Sequence, residues 1–208
     1  MHILLLGASP ETTRWLQGPV DDYDYIICAD GGLKLAKLWG RKPDFVLGDG
    51  DSYKEAFPKE INRRSYPTEK DETDSELALA KALEMGATKI TLTGFLGGRI
   101  DHSLANLALI SLVKNVKVQF LEEWGQVFFA EKYNEVLGAV GDTVSLIPLF
   151  EDVKGVSTQG LKYPLDNETL YGHKSRGISN ELIDKKAIIK KENGRLLIVQ
   201  LRKEFVDA

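Results

Sequence analysis

The fold is decided by the stretch KITLTGFLGGRIDHSLANLALISLV at residues 89–113. It begins with the apolar run KITLT, which is too short for a helix and has the composition of a strand. A glycine-rich loop follows, and residues 104–113 then carry Leu107, Ile110 and Val113 at helical spacing. A strand, a loop and a helix in this order predict one βα unit of a mainly parallel sheet.

The same alternation of strands and helices extends to both sides of this stretch. Thr73, with Glu76 three residues later, fits a capping box at the start of a helix. Asp101 is expected to be the N-cap of the helix that follows the glycine-rich loop. The other predicted strands are His2–Leu6, Tyr25–Ala29, Phe45–Leu47 and 116–121, and the other predicted helices lie within 33–39 and 77–83.

From about Gln126 the chain consists of short β-rich runs such as QVFFAE, TVSLIPLF and RLLIVQLR. The dipeptide Asn193-Gly194 predicts a hairpin between the strands on either side of it. We therefore predict an α/β fold class. An N-terminal, mainly parallel α/β sheet domain at residues 1–124 is followed by a C-terminal antiparallel β-sandwich domain at residues 125–208.

The composition is typical of a globular protein that needs no membrane or nucleic acid. The 208 residues are 43% hydrophobic and 28% charged, and the net charge is −4, so there is no general attraction for nucleic acid or anionic lipid. No apolar run approaches the ~20 residues that span a bilayer, and the N-terminus lacks a basic leader. The single cysteine, Cys28, lies in an apolar run and is predicted to be an inert buried thiol. These features favour a cytoplasmic protein.

Aspartates follow the predicted strands at the points where the strands end. The carboxyl ends of parallel strands lie along one edge of a sheet, and ligands bind there. Carboxylates that are gathered in one cleft repel each other unless a cation lies between them. We therefore predict a site for a hard cation, Mg²⁺, at this edge. The aspartates that the topology brings together are Asp30, Asp49, Asp51, Asp74 and Asp101.

Glycines and one arginine follow the same strands. The segments ADGG and GFLGGR allow close approach of a ligand to the backbone and present N–H groups to it. Arg99 carries a fork of donors that is suited to phosphate. No Gly-Lys-Ser/Thr follows, so the loop is not a Walker A motif. His102 is more consistent with a structural role than with a catalytic base. Acids for a metal, with amides and arginine for phosphate, indicate a Mg–nucleotide site.

Seven motifs between residues 30 and 181 resemble those of thiamine pyrophosphokinases in order and approximate spacing. They are ADGG, GDGDS, KDETD, GFLGGRIDH, SLIPL, GLKYPL and RGISNE. The resemblance implies an N-terminal domain that binds ATP and Mg²⁺ and a C-terminal β-sandwich that helps to bind thiamine. It also implies a homodimer with active sites at the subunit interface.

The resemblance implies roles for individual residues. Tyr163, where some relatives have tryptophan, keeps an aromatic platform for thiamine, and Lys70, where some have glutamine, is compatible with a phosphate contact. The implied Mg²⁺ ligands are Asp49, Asp51 and Asp74. The other implied residues of the catalytic cleft are Asp101 and Arg99. The implied nucleotide contacts are Asp30, Gly31, Gly32, Lys70, Gly97, Gly98, Arg99 and His102. The implied thiamine contacts are Tyr163, Ser179 and Asn180.

The implied reaction transfers the pyrophosphoryl group of ATP to the hydroxyl of thiamine, giving thiamine diphosphate and AMP. Either Asp101 or Asp74 could accept the hydroxyl proton. The residues by themselves also allow a metal-dependent phosphohydrolase or a nucleotide-sugar transferase with an Asp-x-Asp metal site. A third alternative is a non-catalytic dimer that senses nucleotide or thiamine.

Overall fold

A computed structural model describes residues 1–48, 62–64 and 71–206 of the chain. The chain divides into two compact units, Met1–Glu123 and Trp124–Ala208. Each unit has its own hydrophobic core, and each is described separately below.

The described part of the first unit contains one sheet of parallel strands. All neighbouring strands in it are parallel, and their order is β6-β5-β1-β2-β3-β4. The strands are β1 (His2–Leu6), β2 (Tyr25–Ala29), β3 (Phe45–Leu47), β4 (Asn62–Arg64), β5 (Lys89–Thr93) and β6 (Lys117–Glu122). The predicted strands of this half are confirmed, except that β6 begins and ends one residue later than predicted. Strand β4 was not predicted.

In the described residues, three α-helices and short 3-10 turns connect these strands. Thr73 caps α2 as predicted, because its hydroxyl accepts a hydrogen bond from the N–H of Glu76 at 3.2 Å. The α-helices are α1 (Leu33–Leu38), α2 (Asp74–Glu84) and α3 (Ile100–Ile110). The 3-10 turns of this unit are Glu11–Arg14 and Asp30–Gly32. Within the described part of the chain, no helix has the length and apolar character needed to cross a membrane.

The prediction that Asp101 is the N-cap of α3 is wrong. The helix begins at Ile100, and Arg99 occupies the N-cap position without a side-chain capping bond. Asp101 therefore lies in the first turn. There its carboxylate is bonded by the guanidinium of Arg99 and by the N–H of His102.

The core of the first unit is formed by the apolar strands. Leu4, Leu6 and Cys28 are fully buried there and pack with residues of α1. Burial raises the pKa of the Cys28 thiol to about 12, so this thiol remains protonated at neutral pH. The prediction that Cys28 is buried is confirmed.

The strand order places a topological switch point between β1 and β5. From β1 the chain proceeds outward through β2, β3 and β4, and β5 then pairs with the opposite side of β1. The loops that leave β1 and β5 meet closely at this point. The N–H groups of Gly7 and Ser9 donate to the carbonyls of Thr93 and Gly94, each at 2.8 Å. In open α/β sheets a ligand crevice forms at such a point.

The second unit is an antiparallel β-sandwich. In the described residues one sheet has the strand order β12-β9-β14-β7 and the other β11-β10-β13-β8. Val144, Leu146 and Ile198 from the first sheet pack with Val156 and Ile189 from the second. The strands are β7 (Gly125–Phe129), β8 (Tyr133–Leu137), β9 (Thr143–Pro148), β10 (Val153–Gln159), β11 (Glu168–Leu170), β12 (Asn180–Glu181), β13 (Lys186–Lys190) and β14 (Leu196–Leu201). The predicted fold class is confirmed.

The predicted hairpin at Asn193-Gly194 is wrong. Strand β13 pairs with β8 and β10, whereas β14 pairs with β7 and β9, so the dipeptide connects the two sheets. The local turn is nevertheless present. Gly194 has a φ of 83°, and a Cβ there would lie 2.6 Å from the carbonyl oxygen of Asp152.

Candidate active site

A cavity of about 410 Å³ opens at the carboxyl edge of the parallel sheet, at the switch point between β1 and β5. It is bounded by the loop after β1, the turn after β2, the start of α2 and the loop after β5. The candidate residues that line it are Asp30, Gly31, Asp74, Gly97, Gly98, Arg99 and His102. Segments that are distant in sequence therefore contribute acidic, glycine and arginine residues to one cavity.

Asp30 has two unusual features. Its φ is 39°, a left-handed conformation that non-glycine residues adopt rarely. Its Oδ1 is buried and has no hydrogen-bond partner among the described residues. An unpartnered buried carboxylate oxygen is costly, and a bound cation would compensate this cost. The chain also passes close to Asp30 at Gly48, because a Cβ on Gly48 would lie 2.9 Å from the Cβ of Asp30.

Asp74 is the first residue of α2 and lines the same cavity. The predicted metal ligands Asp49 and Asp51 and the predicted phosphate contact Lys70 lie outside the described residues. Among the residues that are described, no three potential metal-ligating side chains come together. Gly48, the last described residue before Asp49, lies beside Asp30.

The two glycines after β2 differ in their surroundings. Gly31 lines the cavity, but Gly32 does not. A Cβ on Gly32 would lie 1.9 Å from the carbonyl oxygen of Leu6 in β1. The absence of a side chain at Gly32 therefore allows the turn to pack on the neighbouring strand, and the close approach is to protein backbone.

We refer to residues 94–98, GFLGG, as the glycine loop. Gly97 and Gly98 have φ values of 100° and 66°, and both line the cavity. Their N–H groups have partners within the protein. Gly97 donates to Ser103 Oγ at 3.1 Å, and Gly98 donates to Glu11 Oε1 at 3.0 Å. The sequence predicts that these N–H groups point at a ligand, whereas in this structure they bind side chains.

Arg99 and Asp101 form an exposed bidentate ion pair at the rim of the cavity. Arg99 Nε lies 3.1 Å from Asp101 Oδ1, and Arg99 Nη2 lies 2.5 Å from Asp101 Oδ2. The hydrogen bond from Arg99 lowers the pKa of the Asp101 carboxyl to about 2. Asp101 itself is not among the residues that line the cavity, whereas its neighbour His102 is.

Several residues that shape the cavity are absent from the sequence-based prediction. Ser9 lines the cavity and donates its hydroxyl to Glu11 Oε2 at 2.7 Å. Asn106 is buried and donates to the carbonyl of Phe95 at 2.8 Å. Glu122, below the glycine loop, is only 2% exposed. The position of Glu122 in the sequence could have revealed it. It is a carboxylate at the carboxyl end of a parallel strand, and Asp30 directly follows such a strand.

The predicted substrate residues of the second unit lie around Tyr163. The side chain of Tyr163 is exposed, and Lys162 Nζ lies 5.6 Å from the centroid of its ring. Asn180 is buried and bonds both backbone groups of Tyr163. Its Oδ1 accepts from the Tyr163 N–H at 3.0 Å, and its Nδ2 donates to the Tyr163 carbonyl at 2.7 Å. The Asn180 amide is thus used to hold Tyr163.

Ser179 is exposed and has a φ of 57°. Its N–H donates to Ser145 Oγ at 3.0 Å, which joins the segment before β12 to β9. This bond supports a left-handed conformation that a serine adopts at some cost. The hydrogen bond to β9 therefore fixes the backbone at Ser179, and the Ser179 side chain remains exposed.

Comparison with known proteins gives the same family for both units. A family model described as "Thiamin pyrophosphokinase, catalytic domain" matches residues 17–120, and one described as "Thiamin pyrophosphokinase, vitamin B1 binding domain" matches residues 131–196. A thiamine pyrophosphokinase of Bacillus subtilis (strain 168) is 31% identical over 194 residues, which cover 89% of this chain and 91% of that protein.

Solved structures agree with the sequence comparison. The crystal structure of thiamine pyrophosphokinase from Bacillus subtilis matches with a TM-score of 0.86 and 27% identity, covering 97% of this chain and 99% of that one. The thiamin pyrophosphokinase from Geobacillus thermodenitrificans matches with a TM-score of 0.78 and 28% identity, covering 97% of each chain. The matches extend over both the parallel and the antiparallel unit, so the chain is an enzyme that belongs to the thiamine pyrophosphokinase family.

Proposed function

We propose that this enzyme transfers the pyrophosphoryl group of ATP to the hydroxyl of thiamine in a Mg²⁺-dependent reaction, with AMP as the second product. One structural observation supports this reaction in addition to the family assignment. A single cavity at the switch point of the parallel sheet is lined by Asp30, Asp74 and Arg99 together with glycines. This set of side chains suits a triphosphate and its cation.

The residues present fit a hard divalent cation. Asp30 and Asp74 offer carboxylate oxygens to the same cavity, and Asp30 Oδ1 is buried without a partner among the described residues. Asp74, with Asp49 and Asp51, would hold the ion, and Asp30 would add negative charge beside it. When bound, a divalent cation offsets the negative charge of phosphate oxygens during transfer.

Arg99 and Asp101 are proposed to act as a pair. The guanidinium of Arg99 binds phosphate oxygens through its donors, and Asp101 orients it at the rim. Because its pKa is about 2, Asp101 is a weak base at neutral pH. Asp101 and Asp74 both remain candidates for accepting the proton of the thiamine hydroxyl. In such a reaction the protein contributes mainly position and charge.

Tyr163 is proposed to provide an aromatic face for the thiazolium ring of thiamine. This ring is permanently cationic, and a cation over an aromatic face gains about 1–2 kcal/mol when it is desolvated. The ring of Tyr163 is exposed, and the nearby ammonium group of Lys162 is paired with Glu181 at 3.0 Å.

A cytoplasmic homodimer with active sites at the subunit interface is part of the proposal. The helix that follows Arg99 exposes apolar side chains, since Ile100 is 73% and Leu104 is 56% exposed. Contact with a second copy would cover these side chains beside the cavity. Light scattering in solution tests the dimer, and the molar mass of one chain would contradict it.

The reaction is tested by measuring AMP in mixtures of the protein, ATP and Mg²⁺, with and without thiamine. We expect AMP and thiamine diphosphate to form in equal amounts only when thiamine is present, and EDTA to stop both. Phosphate release that does not need thiamine would indicate a phosphohydrolase instead. Binding of both ligands without formation of AMP would indicate a sensor.

Replacing Asn180 with alanine is expected to raise the KM for thiamine about tenfold, while the KM for ATP stays within twofold. The substitution removes both bonds to the backbone of Tyr163 and so releases the ring from its position. Steady-state kinetics with each substrate varied in turn measures the two constants.

Asn134→Ala is the matched control for this prediction. Asn134 is also buried in the second unit, and its side chain bonds the N–H and the carbonyl of Glu131, each at 2.9 Å. Both variants should lose about 1–3 kcal/mol of stability, but only Asn180→Ala should affect thiamine. Equal KM values for thiamine in the two variants would contradict the role of Asn180.

A further inference from the structure

Glu122 is a buried carboxylate for which the proposed reaction has no use. It is the last residue of β6, is 2% exposed, and does not line the cavity. Burial raises its pKa to about 7. A carboxylate that is removed from water to this extent destabilises the fold unless several donors bond it.

One donor that bonds Glu122 belongs to the glycine loop. Oε1 accepts from the N–H of Gly94 at 2.9 Å, and the backbone of the next two residues, Phe95 and Leu96, acts to lower the pKa of this carboxyl against the effect of burial. The first three residues of the loop are therefore all close to this single acidic group. The loop then continues to Gly97, Gly98 and Arg99, which line the cavity.

The other carboxylate oxygen of Glu122 binds a different segment. Oε2 accepts from the hydroxyl of Thr12 at 2.8 Å, and Thr12 is itself buried in the 3-10 turn Glu11–Arg14. The same turn contacts the glycine loop at its far end, where Glu11 accepts from the N–H of Gly98. The loop is thus held at its start by Glu122 and near its end by Glu11, and Thr12 joins the two contacts.

We propose that Glu122 is a positioning residue that sets the conformation of the glycine loop, and through the loop the placement of Gly97, Gly98 and Arg99 toward the phosphates of ATP. The kinetic part of this inference rests on the proposed function. The structural part concerns only the loop and can be measured without substrate.

Glu122→Gln is the most informative variant. Glutamine has the same shape, and its Oε1 can still accept from Gly94 while its Nε2 donates to Thr12. It lacks the negative charge that Glu122 carries above its pKa of about 7, and hydrogen bonds to a charged acceptor are stronger than those to a neutral one, so the comparison is made above that pH. Thr12→Val is the second variant, because it removes only the hydroxyl of the turn and leaves Glu122 in place.

Asp142→Asn in the second unit is the matched control. Asp142 is also buried, at 4% exposed, and its carboxylate accepts from the backbone N–H groups of Ala139 and Lys203 at 3.0 and 3.1 Å. It lines no part of the cavity. The change from carboxylate to amide is the same, but the backbone that it supports is different.

Hydrogen–deuterium exchange of residues 94–98 and the KM for ATP and thiamine are measured for all variants. In Glu122→Gln we expect the loop amides to exchange about fivefold faster and the KM for ATP to rise about tenfold, with the KM for thiamine unchanged. Thr12→Val should change the same quantities in the same direction, and it carries the test if Glu122→Gln does not fold. Asp142→Asn should change neither.

Loop exchange and ATP kinetics in Glu122→Gln that match those of wild type would overturn the inference, as would equal effects of Asp142→Asn. If the wild-type enzyme forms no AMP, the proposed function fails, and the exchange of the loop amides then decides the role of Glu122 alone.

Discussion

Asp30→Asn is expected to reduce thiamine-dependent AMP formation by about 10²- to 10³-fold, the loss that follows removal of one preorganised electrostatic group from an active site. Asn keeps the shape of the side chain and tolerates the φ of 39° at this position. The free energy of unfolding is expected not to fall, because a neutral amide costs less to bury than a carboxylate whose Oδ1 has no partner among the described residues. Enzyme kinetics and urea denaturation measure the two quantities.

Asp44→Asn provides the control for Asp30→Asn. Asp44 precedes β3, at the opposite edge of the sheet from the cavity, and its Oδ2 accepts from the N–H of Ile26 at 2.8 Å. Activity should stay within about twofold of wild type in this variant, and stability should fall by about 1 kcal/mol. Full activity of Asp30→Asn would remove Asp30 from the catalytic site.

Gly32→Ala is expected to lower the free energy of unfolding by about 3 kcal/mol or more. The new methyl group would lie 1.9 Å from the carbonyl oxygen of Leu6, and that carbonyl belongs to a central strand that is paired on both sides. A flexible side chain could move away from such a contact, but this backbone cannot move without breaking the sheet. Urea denaturation followed by circular dichroism measures the loss.

Gly172→Ala is the control for Gly32→Ala, because a Cβ at Gly172 would have its nearest neighbour at 3.6 Å. Its stability should stay the same or rise by up to about 1 kcal/mol, because alanine has fewer unfolded conformations than glycine. A loss of catalysis in Gly32→Ala without a loss of stability would show instead that the space at Gly32 serves a ligand.

The sequence was sufficient for those parts of the fold that depend on local pattern. The central strands are short apolar runs such as ILLL and IICA, which are shorter than an ordinary helix and therefore favour strands. The rule that ligands bind at the carboxyl ends of parallel strands then located Asp30 and Arg99 at one edge. Both line the observed cavity.

Features that depend on tertiary contacts were not predictable from local pattern. Asn193-Gly194 signals a turn correctly, but the choice of strand partners depends on the packing of two sheets over a common core. The sequence around Asp101 is typical of a helix N-cap, but in the structure Asp101 forms an ion pair with Arg99 instead. The position of Glu122 at the end of a parallel strand could have been read from the sequence, but its burial depends on tertiary contacts such as the one with Gly94.

The central position of β1 also has a consequence for folding kinetics. His2 pairs with Lys89 on one side of β1, and Ile3 pairs with Tyr25 on the other. The contact with β5 therefore closes a very long loop, and such contacts form slowly because chain entropy opposes them. Before β5 pairs with β1, one edge of the apolar strand β1 can form hydrogen bonds with other chains. Refolding at high protein concentration should thus favour aggregation before the sheet is complete.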